Sequence, residues 1–374
     1  MAASKTLLFI QKTAVRGGAI NRLFDTLSTL QKATDYRLHI VCSEQGEFTE
    51  RCAELGFPVT LHALPEWRKL RERLRFHGAI KSLCKSLPFT EADWVISNEM
   101  WWAPHAAAIA KKLKAKSAAI LRDGIADAHK GRKYRLQDND LILPSSLKIA
   151  QGMQSDSVLA KRTQVFHDAV FLPELKPDSA ASLQHQLNLK SSEVQRWLVV
   201  IGRLSSRKRQ VDSVLVLQGL IQRGYTDFGL ILAGDCDPDY ESKMDEVLHN
   251  TGLKNRVVRL GNFTDIRALF AMNPICLLTS LREALPGSVM ESLLAGKPCF
   301  MYPCEGAEDI FGPHQNLFVS GDFKPELLVD KIDFLLQDPT LLASQVVALQ
   351  QRAESMFSFE AHLRGLQQTL GLEI

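Results

Sequence analysis

Two carboxylates, Glu283 and Glu291, are separated by seven residues in EALPGSVMESLLAGKP and stand on either side of a Pro-Gly pair. The apolar run PICLLTS precedes them, and a helix is predicted over 288–296. A turn through Leu285, Pro286, Gly287 and Ser288 into a helix N-terminus gathers backbone amides into an anion pocket. A carboxylate beside such a pocket is awkward unless it accepts hydrogen bonds from hydroxyl groups, and ribose and hexose rings supply these. The spacing Ser288-x-x-Glu291 also fits a helix capping box, which explains Glu291 but says nothing about Glu283.

A second group of residues lies in VVIGRLSSRKRQ, where a buried strand is predicted to end at Gly202. Arg203, Arg207, Lys208 and Arg209 follow before a helix begins near Gln210. Loops at strand ends in parallel sheets face the ligand crevice, where cations bind anionic oxygen and neutralise a departing phosphate. A solvated basic loop is the plainer alternative. Neither a G-x-x-x-x-G-K-[ST] loop nor a G-x-G-x-x-G turn follows any predicted strand, which argues against a P-loop enzyme or a dinucleotide dehydrogenase.

Three further segments could carry chemistry. Gly17 and Gly18 in AVRGGAINRL sit between a strand and its helix, where glycine permits positive φ or close approach of a ligand; a plain tight turn explains them too. Arg122 and Asp123 in ILRDG end another strand, and Asp123 could receive an acceptor's proton, although a structural Arg–Asp pair fits as well. His105, His129 and His167 are the nearby histidines, and a lone histidine is more often a local hydrogen-bond partner than a catalyst. Finally, 66–87 holds seven Lys/Arg against two acids, a surplus of five. Trp67, Leu70 and Leu74 share one helical face there, and Phe76, Ile80, Leu83 and Leu87 share another. This pattern suits a basic amphipathic helix on anionic lipid, or an ordinary surface helix with its apolar side on the core.

These residues need a scaffold, and the rest of the chain describes one. Short apolar runs at 6–11, 37–42, 92–98, 116–123 and 139–145 alternate with amphipathic stretches, as buried parallel strands do. The alternation breaks in the Pro-containing stretch 171–187 and resumes with runs at 196–202, 228–234, 255–261, 274–280 and 298–303. The expected fold is α/β, with two Rossmann-like doubly wound parallel-sheet domains facing a cleft. Length agrees, since 374 residues exceed one small core. Charged residues make up 23% of the chain and the net charge is +3, so no nucleic-acid partner is indicated. Seven scattered cysteines without a C-x-x-C suggest neither a disulfide framework nor a zinc site. The N-terminal apolar stretch is too short for a signal sequence, and no run reaches membrane-spanning length, so a cytoplasmic protein is expected.

Taken together, GRLSSRK and EALPGSVMESLLAGKP resemble the C-terminal signature of the GT-B retaining glycosyltransferases of family 4. RVVRLGNFTDIRALFAMNPICLLTS and QVFHDAVFLPE resemble collinear stretches of that family, and 352–370 resembles its terminal helix that crosses back to the first domain. The resemblance implies an N-terminal acceptor-side domain over 1–172, a nucleotide-sugar domain over 173–355 and a crossing helix over 356–374. It implies that Arg203 and Lys208 grip the donor diphosphate, that Glu283 orients the donor sugar, and that Glu291 binds the ribose. Gly202 and the turn 285–288 would lie near phosphate and sugar, Asn262 and Phe263 near the base, and Gly17 and Gly18 near donor or acceptor. The implied reaction transfers a sugar from a nucleotide-diphosphate donor to a hydroxyl of a glycan or lipid-linked acceptor. No cofactor or metal is expected, because the cations substitute for one. The family's histidine is replaced at Arg122-Asp123, which leaves the acceptor side open. A sugar-nucleotide epimerase or a non-catalytic nucleotide-sugar-binding subunit are the alternatives. Peripheral contact at the inner face of the cytoplasmic membrane through 66–87 would suit a lipid-linked acceptor.

Overall fold

In the computed structural model, residues 5–373 are described apart from 15, 16, 125 and 192. The expectation drawn from the first four residues, and the Val15-Arg16 part of the Gly-Gly segment, lie outside them. The chain divides into two compact units, one of residues 1–169 with 359–374 and one of 170–358. From the sequence, the junctions were expected at 172/173 and 355/356.

Among its described residues the first unit holds six parallel strands: β1 Thr6–Ile10, β2 Arg37–Cys42, β3 Val59–Leu61, β4 Trp94–Ser97, β5 Lys116–Leu121 and β6 Leu141–Pro144. They lie in the order β3-β2-β1-β4-β5-β6. Leu7 and Phe9 pack into a core on one face of the sheet, while Leu8 and Ile10 pack into a core on the other. This two-sided burial explains why TLLFI reads as a continuous apolar run and not an alternating one. The short edge strand β3 was not expected, and helix Phe359–Leu370 belongs to this unit. It adds Leu366 and Leu370 to the core, and Trp94 Nε1 donates to the Leu370 carbonyl at 3.0 Å. The single helix expected over 352–370 is two helices, Pro339–Phe357 and Phe359–Leu370, with the division between units falling at the break.

The second unit holds β7 Arg196–Ile201, β8 Phe228–Ala233, β9 Val257–Gly261, β10 Ile275–Leu278 and β11 Cys299–Met301, in the order β11-β10-β7-β8-β9. Leu198 and Val200 face one core, and Trp197 and Val199 the other. Both sheets are doubly wound. The strand order reverses between β1 and β4 in the first unit and between β7 and β10 in the second, and ligand crevices form beyond such reversals.

Candidate functional site

The two loops singled out in the second unit follow β7 and β10, the strands that flank its reversal, so their nearness follows from topology. Gly202 leaves β7 at φ +138°, a conformation that L side chains rarely adopt. Gly234 ends β8 at φ +153°, and a Cβ there would lie 2.3 Å from the Gly202 carbonyl oxygen. Only glycine at 234 lets the β7 loop lie this close. The sequence offered a signal for Gly234, since FGLILAG ends as VVIG does, but its packing role was missed. The loop then folds back: Leu281 N–H donates to the Arg207 carbonyl at 2.9 Å, and Thr279 Oγ1 donates to the Lys208 carbonyl at 3.0 Å.

That strapping brings Lys208 and Glu283 together. Lys208 Nζ lies 2.6 Å from Glu283 Oε1, and Arg207 NH1 lies 2.9 Å from the same oxygen. Burial raises the Glu283 carboxyl, but the Lys208 ammonium and Arg207 guanidinium outweigh it and hold the group below its ordinary value. Arg203, expected beside Lys208, places NH1 3.3 Å from Asp237 Oδ1 with its side chain 63% exposed. Arg209 turns inward to the buried Asp212, at 2.6 Å, and Tyr302 donates to that carboxylate at 2.7 Å. The basic loop is therefore neither wholly solvated nor wholly a ligand grip.

The capping box does not form. The helix runs Gly287–Leu294 with Pro286 as its N-cap and no side-chain cap, so Ser288 is already its second residue. Pro286 pre-sets the entry angle, and the helix starts two residues earlier than a Ser288 N-cap implies, at Gly287 instead of Val289. Leu285, Gly287, Ser288 and Glu291 are partly exposed while Pro286 is buried. Gly306 backs this turn, and a Cβ on it would sit 2.5 Å from the Ala284 carbonyl oxygen. Nothing in the sequence marked that contact. Asn262 is exposed and Phe263 partly buried in the turn after β9; there the Phe263 N–H donates to the Gly261 carbonyl at 2.7 Å.

In the first unit, helix Gly18–Ala33 begins after Gly17, whose φ of −176° is extended backbone open to any residue. A Cβ at Gly17 or Gly18 would meet nothing within 4 Å. The fold itself thus has no need of glycine at either position. Arg122 pairs with Asp168 and not with its neighbour Asp123: Nε donates to Oδ1 and Oδ2 at 3.0 and 2.9 Å, and NH2 to Oδ1 at 2.6 Å. Arg122 NH1 also donates to Asn98, and Asn98 Nδ2 donates to Gln11 Oε1 at 2.6 Å. A polar network therefore joins the ends of β1, β4 and β5. Asp123 is partly exposed beside it. Glu99, which the sequence did not single out, has its carboxyl raised by burial, with Arg122 opposing and Asp123 adding to the shift.

The segment 66–87 is not one amphipathic helix. It breaks into Leu70–Arg73 and Phe76–Ser86. Phe76, Ile80, Leu83 and Leu87 are core residues, so that face is structural. Trp67 folds back, its Nε1 donating to the Lys133 carbonyl at 3.1 Å, with Arg73 4.4 Å above its ring. Leu70 and Leu74 remain 76% and 86% exposed. Among the described residues, no helix is long and apolar enough to cross a membrane, and no group of three or more His, Cys, Asp or Glu could hold a metal ion.

Two parallel-sheet α/β units with these strand orders define the GT-B fold class, and solved structures bear this out. The Anabaena protein Alr3699/HepE in complex with UDP and glucose aligns at 20% identity and TM-score 0.80, covering 98% of this chain and 99% of its own. A glycosyltransferase of Rickettsia africae aligns at 18% identity and TM-score 0.82, covering 98% of each chain. The lipopolysaccharide outer core galactosyltransferase WaaB aligns at 17% identity and TM-score 0.69, covering 98% and 99%. Residues 185–354, which include Arg203, Lys208, Glu283 and Glu291, match the model of the family glycosyl transferases group 1. No curated protein matches the sequence.

Proposed function

We propose that the chain is a retaining glycosyltransferase that moves a sugar from a nucleotide-diphosphate donor to a hydroxyl of a glycan or lipid-linked acceptor. The observation that carries this reading is the 2.6 Å approach of Lys208 to Glu283 at the mouth of the turn that opens helix Gly287–Leu294. A cation for the leaving diphosphate, a carboxylate for sugar hydroxyls and a helix start for phosphate oxygen then share one crevice. Glu291 lies one turn into that helix, in position for the ribose, and the turn at Asn262-Phe263 would flank the base. The family match over residues 185–354 supports transfer chemistry, and the UDP complex of HepE makes a uridine donor the first to try.

Charge builds on the departing diphosphate, and Lys208 with Arg203 would stabilise it without a metal. Arg203 would have to swing from Asp237, which costs little because an exposed ion pair contributes little. Asp123 would lie on the acceptor side, with Gly17 and Gly18 leaving room for donor phosphate or acceptor.

Peripheral contact with the cytoplasmic membrane face belongs to the same proposal. It now rests on Leu70 and Leu74, exposed among Arg68, Arg71 and Arg75, and not on the buried face that follows.

A thermal-shift screen of UDP-, GDP-, ADP- and CMP-sugars tests the donor class, because a ligand of the folded state raises Tm with concentration. Anomeric analysis of the product then tests retention. A chain that binds none of these sugars would overturn the proposal.

A further inference from the structure

Glu283 Oε1 is shared by two cations that are held in different ways. Arg207 is anchored at both ends to the segment that carries Glu283: its carbonyl accepts from Leu281 N–H at 2.9 Å, and NH1 donates to the Arg282 carbonyl at 2.8 Å as well as to Glu283. Lys208 reaches the same oxygen at the end of a flexible four-carbon stem, its Nζ 3.8 Å from where a Cβ on Gly202 would stand. Arg207 must therefore move with the 281–283 turn, whereas Lys208 can turn away from it.

Resting on the glycosyl-transfer reading above, we infer that Arg207 is a positioning residue that keeps Glu283 paired and aimed when Lys208 is surrendered to the donor's diphosphate. The Glu283 side chain is only 16% exposed, and a largely buried carboxylate that loses its counter-ion is costly. Without Arg207, diphosphate and Glu283 would compete for one ammonium. With it, both anions are served and the carboxylate stays pointed toward the sugar. Arg207 touches neither donor nor acceptor in this scheme and acts only through Glu283.

The test is titration calorimetry of UDP and UDP-glucose with wild type, Arg207→Ala, Arg207→Lys, Glu283→Gln and the Arg207→Ala/Glu283→Gln double variant, each shown folded by its Tm. Arg207→Ala is expected to weaken both ligands roughly ten-fold, as loss of a charge-assisted partner does, with a larger loss for UDP-glucose. Arg207→Lys should recover part of it, since the charge returns without the second anchoring bond. In the Glu283→Gln background the Arg207→Ala change should have no further effect, because no carboxylate remains to hold. Additive losses in the double variant would mean that Arg207 grips phosphate itself, and no loss in Arg207→Ala would mean that it has no role; either result overturns the inference while leaving the transfer reading intact. If wild type binds neither ligand, nor any other nucleotide diphosphate, both fall together, and that is seen before any substitution is made.

Discussion

Arg122, at the end of β5, and Asp168, two residues before the chain leaves the first unit, form a buried ion pair joined by three hydrogen bonds across 46 residues of sequence. Their side chains are 6% and 4% exposed. Burial raises the Asp168 carboxyl, and Arg122 more than reverses this, so the group lies below the usual carboxylate range. The pair pins the exit of the first unit to the end of β5, the strand beside the edge strand β6.

Asp168→Ala should leave the Arg122 guanidinium buried and unpaired, at a cost of about 3–5 kcal/mol in the first unit's stability. Replacing both residues, by Arg122→Met with Asp168→Leu, should cost much less. Urea unfolding followed by tryptophan fluorescence compares the two; a double variant as unstable as the single one would show that the network through Asn98 matters more than the pair.

Acid should weaken the first unit through its buried histidines before it reaches Asp168. Burial pushes His39, His105 and His362 down from 6.5 to about 4. Between those values the unfolded chain takes up protons that the folded chain refuses, so stability is full above pH 6.5 and falls on acidification. Each histidine contributes about 1.4 kcal/mol per pH unit in that window. The Asp168 contribution is lost only lower, below about pH 4. Unfolding midpoints at pH 7.5, 6 and 5 measure the slope, and His362→Asn should flatten it by one proton.

Lys208→Ala should reduce turnover about 10²–10³-fold, the usual loss when one preorganised charge is removed from a transition state, with Tm nearly unchanged. Arg203→Ala should raise the donor KM. Steady-state kinetics of the two variants checks this, and full activity in both would remove the diphosphate grip.

Three glycine substitutions separate fold from site. Gly306→Ala drives a Cβ against the Ala284 carbonyl and should destabilise by about 1–3 kcal/mol while raising the donor KM, whereas Gly321→Ala, with nothing within 4 Å, should do neither. Gly17→Ala meets no atom either, so intact stability with lost activity is the expected outcome. Unchanged activity would return the Gly-Gly turn to a plain structural role.

Leu70→Asp with Leu74→Asp should leave Tm unchanged but abolish co-sedimentation with phosphatidylserine vesicles at low salt. Wild type that stays in the supernatant would remove the membrane contact.

What the sequence disclosed and what it hid follow from range. Among the described residues, ten of the eleven strands appear as apolar runs because both sheet faces are covered. β3 escapes because it is three residues long at an edge and never buried. Lys208 and Glu283 were each legible as site candidates because each follows an apolar run that reads as a strand, but their direct pairing was not. The partner of Arg122 was not, since a contact across 46 residues depends on how β5 and the 165–169 segment meet. The Ser288-x-x-Glu291 motif misled because a proline at its edge set the helix start. Helical periodicity gave both faces of 66–87, yet only packing against the core decides which is covered.

Helix Phe359–Leu370 makes the first unit a composite of the chain's two ends. During translation the whole second unit emerges while the first still lacks Leu366, Leu370 and Leu372 from its core. The later-made unit can therefore settle before the earlier one. Any fusion or proteolytic nick near Ser358 would be felt in the sheet that was synthesised first.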